Sequence, residues 1–418
     1  MPTNKIIRLT NVALRGITLA SKSLLIFFLA RFLEPAELGL YGLLTATISY
    51  ALYLLSFDFY TFSMREILKF ERYEWGGLIK NQGALTIVLY AIFLPLLSLI
   101  FLNGLLPWSV AGWFFVLLIL EHLTGEIIRL LTFISEQLLA SLILFLRSGL
   151  WAVAISAIMF IDPNSRQLDY ILGAWSIGGI AALLLGIYRL HQLKITGWHK
   201  NVDWSWIISG LKIAVPFLVA TLAIRGIFTL DRYWFEALAG SEILGAYVLF
   251  MALSNVIMSF LDAGVFAFIN PSLVTAWRKQ DSLAFTQQVK KLLFQTVLIS
   301  TSLAAIALTM IAPLLTLLNK PLYLAHKNLF PWILLATMLY IFGLIPHAAL
   351  YAQRLDRPII QSHIASLICF IPATWMFSII WPNVAVPLGL CSSFALILLW
   401  KSWAYFALTP TQYRLFKS

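Results

Sequence analysis

Runs of about twenty apolar residues, separated by short polar or basic segments, recur from one end of this chain to the other. Wound as a helix at about 1.5 Å per residue, such a run crosses a hydrocarbon core of about 30 Å. The pattern predicts twelve spans, at roughly 11–33, 38–57, 83–102, 108–132, 137–161, 168–189, 210–231, 242–266, 292–317, 329–352, 359–381 and 384–407. Hydropathy patterns place such boundaries only to within about 2–4 residues. The expected fold class is therefore an all-α polytopic membrane protein with twelve transmembrane helices.

Composition agrees. The chain is 61% hydrophobic and 11% charged, against about 25% charged residues in soluble domains. Charge then orients the threading. Twenty-one of the 29 Lys and Arg residues fall in segments on one side of a twelve-span path. These include Lys5, Arg8 and Arg15, then Arg65, Lys69, Arg72 and Lys80, and finally Lys401, Arg414 and Lys417. Five lie on the other side and three, Lys22, Arg147 and Arg225, lie within spans. Cytoplasmic loops carry excess Lys and Arg, so both termini are expected in the cytoplasm. The formal net charge of +11 is accounted for by those loops, and nucleic acid is not an expected partner. Membrane lipids are, because basic loops meet an anionic lipid surface.

The first apolar run follows a short polar segment and ends without a small-residue cleavage site, which reads as a signal anchor. Cys369 and Cys391 both lie in apolar runs and are expected to be buried structural thiols. No disulfide framework, metal site or cofactor is expected. Every loop is short and no G-x-x-x-x-G-K-[ST] loop occurs, which argues against ATP hydrolysis by this chain.

The two halves look related. Leu38-Gly39-Leu40-Tyr41 opens the second span and Leu244-Gly245-Ala246-Tyr247 the eighth, at an offset of 206 residues. A segment mixing base and aromatic residues follows each, Met64–Phe70 in the first half and Ala276–Lys279 in the second. Both read as interfacial helices. Six spans plus six in the same orientation make a parallel repeat, with lobes expected at 1–200 and 201–418. Transporters commonly hold substrate between such halves. Prolines fall inside six spans, at 95, 216, 313, 346, 372 and 387. Pro216, just after the link between halves, is the expected hinge, since proline removes a helix hydrogen bond.

Charges within spans carry the functional signal, because each costs about 2.5–3.5 kcal/mol at mid-bilayer on insertion scales. Asn11, Arg15, Thr18 and Lys22 follow steps of 4, 3 and 4 and fall within about 60° of one another on a helix. Lys22 is too deep to reach the surface easily and is expected to face a cavity. Thr221, Arg225 and Arg232 share a face in the seventh span, with Asp231 or Glu236 as the expected ion-pair partner of Arg225. Glu121 is expected to neutralise Arg147 or Lys22, or to carry a coupling proton. Glu126 and Arg129 share a face with His122. Lys22, Arg147, Arg225 and Glu121 sum to a positive set, which suits an anionic substrate.

Several short segments resemble one known family. They are Leu14-Arg15-Gly16-Ile17-Thr18, Ala30-Arg31-Phe32-Leu33, Glu37-Leu38-Gly39-Leu40-Tyr41 and Asp58-Phe59-Tyr60-Thr61-Phe62 with Arg65-Glu66-Ile67-Leu68. Asp231-Arg232, Gly245-Ala246-Tyr247 and Asn270-Pro271-Ser272-Leu273 continue the likeness in the second half. Together they resemble the O-antigen (Wzx-type) flippases of the multidrug/oligosaccharidyl-lipid/polysaccharide (MOP) exporter superfamily. The resemblance implies two six-helix lobes around a central cavity, in a bacterial inner membrane. It implies a substrate of undecaprenyl diphosphate carrying an O-antigen or related repeat unit, moved from the cytoplasmic to the periplasmic leaflet by alternating access. Other polysaccharide-assembly proteins are the implied partners. Arg15, Lys22, Arg147 and Arg225 are then the candidate contacts of the diphosphate, inferred from depth and sign.

Two other readings compete. An ion-coupled multidrug exporter of the same superfamily would be expected to have an acidic cavity. A membrane-embedded glycan polymerase or glycosyltransferase would be expected to carry a large periplasmic loop or a D-x-D motif, and neither is present.

Overall fold

The structure, a computed structural model, describes residues 2–67 and 69–415, with side chains for all of these except 2–9 and 72. The side chains of Lys5, Arg8 and Arg72, and residues Leu68 and Lys417, which enter the charge pattern or the resemblance, lie outside the described residues.

Twelve long helices follow one another. They are α1 (Pro2–Phe32), α2 (Pro35–Ser56), α3 (Trp75–Leu102), α4 (Ala111–Phe133), α5 (Gln137–Ile161) and α6 (Leu168–Gln192). Then come α7 (Trp204–Ala239), α8 (Ser241–Arg278), α9 (Ser282–Leu317), α10 (Phe330–Ala352), α11 (Asp356–Ile380) and α12 (Ala385–Leu408). Eleven are long and apolar enough to cross a membrane. The other, α4, has a matching 23 residues and carries Glu121, His122, Glu126 and Arg129. The twelve expected spans are all present as helices.

Local chemistry sets the boundaries. Asp281 accepts from the Ala284 N–H at 2.8 Å and caps α9, satisfying a donor that the helix leaves open. Gly240 alone joins α7 to α8, at φ 85° and ψ 167°, a conformation closed to most side chains. In α3, Pro95 removes a backbone donor and the helix is interrupted at Ser98 before resuming at Leu99.

The two expected interfacial segments differ. The first is a separate helix, Tyr60–Ile67, detached from α2 because Phe57 and Asp58 turn left-handed at φ 52° and 49°. The second is not separate. Helix α8 passes through a π-helical stretch at Asp262–Phe266 and runs on to Arg278. A π-bulge absorbs one extra residue without ending a helix.

The chain divides into two compact units, one of Met1–Leu33 with Leu40–Leu218 and the other of Glu34–Gly39 with Val219–Ser418. The division lies inside α7, two residues after Pro216, and not at position 200. The link before α7 belongs with the first unit. There Lys80 Nζ donates to the Lys200 carbonyl at 2.9 Å, the Gly76 N–H to the Thr196 carbonyl at 2.9 Å, and Lys200 pairs with Glu74 at 2.8 Å.

Lipid offers little hydrophobic drive between helices, so close approach of backbones over small residues holds them together. In the first unit Gly178 lies under the Trp151 ring and Gly186 under Ile127. In the second, Gly389 lies against Thr374 and Gly343 against Ile397. Large apolar side chains such as Ile87, Ile161, Ile177 and Phe268 stay exposed, as lipid-facing positions do.

Candidate functional site: polar groups within the spans

In the first unit α1 lies along α5, and their backbones approach where a Cβ on Gly149 would stand 3.3 Å from Thr18 Cα. The expected polar stripe of α1 divides here. Thr18 is buried and spends its hydroxyl on the Leu14 carbonyl at 2.8 Å. Arg15 and Lys22 are exposed. They are seven residues apart, hence within about 20° on the helix and about 10 Å along it. Arg15 Nε donates to Ser141 Oγ at 3.1 Å, and that hydroxyl donates to Asn11 Oδ1. The chain of contacts ties the start of α1 to α5 and leaves the rest of the guanidinium facing outward.

Arg147 sits in a π-helical stretch of α5, Leu146–Leu150. Its Nε donates to Glu121 Oε2 of α4 at 2.7 Å and its Nη2 donates to the same oxygen. The other carboxylate oxygen accepts from Trp175 Nε1 of α6 at 2.8 Å. Trp175 stacks on Trp151, with centroids 5.8 Å apart and planes 9° from parallel, and Trp151 Nε1 donates to the Arg147 carbonyl at 2.8 Å. Three donors on one carboxylate are the pattern of an ionised, acceptor-only group. Arg147 is therefore a neutralised charge, its side chain 15% exposed. Lys22 lies within electrostatic reach of both partners but forms no ion pair among the described residues.

A second polar network occupies another face of α4. Glu126 accepts from Arg129 Nη1 and from Gln82 Nε2, the latter at 2.5 Å. His122 Nδ1 lies 2.9 Å from the Tyr90 hydroxyl, and the Arg129 guanidinium lies 4.5 Å from the Tyr60 ring centroid. His122, Glu126 and Arg129, which share a helix face, thus fall in one network. It forms the polar edge of an otherwise apolar cavity of about 470 Å³ lined by Ile79, Ile87 and Leu190 among others.

In the second unit Arg225 is exposed on α7, within electrostatic reach of Asp262 in the π-helical stretch of α8. The expected Arg225–Asp231 pair does not form. Asp231 is fully buried, accepting from Tyr247 Oη at 2.7 Å and from the Arg232 N–H at 2.8 Å. Tyr247, from the repeated Leu-Gly-x-Tyr segment, also stacks on Phe235 at 4.4 Å. Asp231 therefore joins α7 to α8 and does not serve Arg225. Pro216 lies within an unbroken 36-residue α7.

One cluster was not expected. Lys401 of α12 is fully buried, and its Nζ lies 3.1 Å from His347 Nδ1 of α10 and 3.0 Å from His363 Nε2 of α11. The charge pattern counts Lys401 among the cytoplasmic-side charges of the loops and helix ends, but its side chain is enclosed by protein. It stands seven residues before the end of α12 and points into the bundle. Its position inside an apolar run, with a histidine inside each of the two preceding runs, was the available signal.

No protein-family model matches this chain, and no curated protein matches it. Solved structures do. An inward-facing multidrug resistance MATE family transporter of the MOP superfamily is similar at a TM-score of 0.70 and 13% identity, over 95% of this chain and 98% of that one. An outward-facing transporter of the same description matches at 0.62 and 15%, over 96% of each chain. The MATE transporter ClbM in complex with Rb⁺ matches at 0.58 and 13%, over 98% of this chain and 96% of its own. Identities this low speak to architecture alone, and the agreement runs nearly end to end: this chain has the twelve-helix fold of the MATE transporters.

Proposed function

We propose that this protein is an alternating-access transporter that moves an anionic lipid-linked oligosaccharide, undecaprenyl diphosphate bearing a polysaccharide repeat unit, between leaflets of a bacterial inner membrane. The MATE fold supports the transport class. The observation that carries the substrate class is Lys22, a base about two-thirds of the way along α1 that forms no ion pair among the described residues. Arg15 adds a second base on the same face. Two carboxylates within the spans of the first unit, Glu121 and Glu126, are both engaged by arginines. Ammonium and guanidinium groups are the usual partners of phosphate oxygens. With Arg147 neutralised and Arg225 beside Asp262, the anion-binding role rests on Lys22 and Arg15.

Multidrug export, the activity named for two of the similar structures, is the alternative that the same fold allows. Deleting the gene in its host separates the two. Loss of surface glycan, with complete undecaprenyl-linked units held on the cytoplasmic leaflet, supports the flippase. Unchanged glycan with altered drug sensitivity supports the exporter.

A further inference from the structure

Lys401, His347 and His363 come from three successive helices, and their nitrogens meet inside the second unit. The amine is fully buried, whereas the two imidazoles are half-buried. No carboxylate lies within ion-pair distance of it among the described residues. The other titratable or charged groups facing the cluster are few. The Tyr351 ring stacks parallel to His347 at 6.5 Å, and Arg225 of α7 is close enough to His363 to act on it electrostatically. Arg225 in turn faces Asp262 of α8.

A lysine ammonium has three donors and no acceptor, while each imidazole nitrogen facing it accepts only through a lone pair. His347 Nδ1 and His363 Nε2 are therefore both unprotonated toward the lysine. A neutral amine also has two N–H groups, enough for the same two hydrogen bonds. The cluster keeps its contacts whether or not the proton is present. What changes is a full charge at a buried site without a counter-ion, and such a charge is costly unless paired. An ordinary structural lysine would be paired or exposed.

Resting on the transporter reading for its role in transport, we propose that Lys401, with His347 and His363, is the site at which this protein binds and releases one proton per cycle. Arg225 is the neighbouring charge that senses its occupancy. Histidine exchanges protons near neutral pH, and ionisable groups inside spans mark proton pathways in transporters.

The test uses the full chain in lipid nanodiscs. Protons taken up between pH 9.5 and pH 5.5 are measured for wild type, Lys401→Met and an exposed control, Lys279→Met. Wild type should take up about one more proton than Lys401→Met across this interval; equal uptake overturns the proton site. If Lys401→Met folds poorly, the double variant His347→Gln, His363→Gln serves, since an amide oxygen can accept in place of each imidazole. Its uptake curve should differ from wild type at the cluster, and a superimposable curve again overturns the proposal. The coupling role is tested by complementing the deletion host. Lys401→Met should lose at least tenfold in glycan display, and full display by a variant that has lost the proton overturns coupling. No effect of the deletion itself on glycan would instead remove the substrate reading and leave the nanodisc result standing.

Discussion

Gly39 and Gly245, the glycines of the two repeated Leu-Gly-x-Tyr segments, meet at one helix crossing. A Cβ on Gly39 would stand 3.3 Å from the Gly245 nitrogen and 2.6 Å from the Ser241 carbonyl oxygen, and one on Gly245 would run into the Pro35 backbone. Both obstacles are backbone, which cannot turn aside as a side chain can. Gly39→Ala and Gly245→Ala should each destabilise by about 1–3 kcal/mol, the usual cost of overpacking. Gly16, with nothing within 4 Å, should accept alanine without loss. Thermal unfolding in detergent compares the three, and an unchanged midpoint for Gly245→Ala would contradict the crossing.

Glu121 and Arg147 hold α4 and α5 together as a nearly buried pair. Removing one partner leaves the other charge stranded, at a cost of about 3–5 kcal/mol. Glu121→Gln and Arg147→Met should each lower the yield of folded protein. Glu121→Gln combined with Arg147→Met should recover much of the loss, because no charge is then left alone. A double-mutant cycle in denaturant reads the coupling, and strictly additive losses would count against it.

Lys22 should behave differently. Lys22→Met removes a charge without a described ion pair and keeps most of the side chain's apolar length, so stability should stay within about 0.5 kcal/mol of wild type. Glycan display should nevertheless fall about tenfold or more, as expected for a lost charge-assisted contact of about 1.5–3 kcal/mol. Arg65→Ala, on the short helix after α2, is the control and should do less. Full display by folded Lys22→Met would remove the diphosphate assignment and leave the fold untouched.

The start of α7 offers a pH test. Asp203 Oδ1 accepts from the Trp206 N–H at 3.0 Å and from Ser205 Oγ at 2.7 Å, and these hydrogen bonds, that from Trp206 foremost, hold the carboxyl below its usual range. For a carboxyl lowered in the folded state, the stabilisation is complete above its unfolded value, about 3.9. It is lost as pH falls through the lower, folded value. Hydrogen exchange in the first turn of α7 should thus be flat from pH 5 to 8 once the intrinsic rate is corrected, and should rise only under strong acid. Asp203→Ala should show the faster exchange at every pH. Asp203→Asn, which can still accept from the Trp206 N–H, should not.

Hydropathy alone determined the twelve helices and their order, because each span has to satisfy its backbone within itself in lipid and announces that by length. The places of Lys22, Arg147 and Arg225 inside long apolar helices were legible for the same reason, since a charge stands out against an apolar run. Partners were not legible. A helical wheel grouped Thr18 with Lys22, yet packing against α5 buried one and exposed the other. Nothing local to Arg225 could show that Asp231 would turn to Tyr247, sixteen residues on. The glycine repeat was visible as a pattern, but its meaning, one crossing where Gly39 meets Gly245, required the folded chain. The same holds for Lys401, His347 and His363. Each is visible as a polar residue in its own apolar run, but only the packing of α10, α11 and α12 brings three nitrogens to one point, because hydrogen-bond partners are chosen by distance in space and not along the chain.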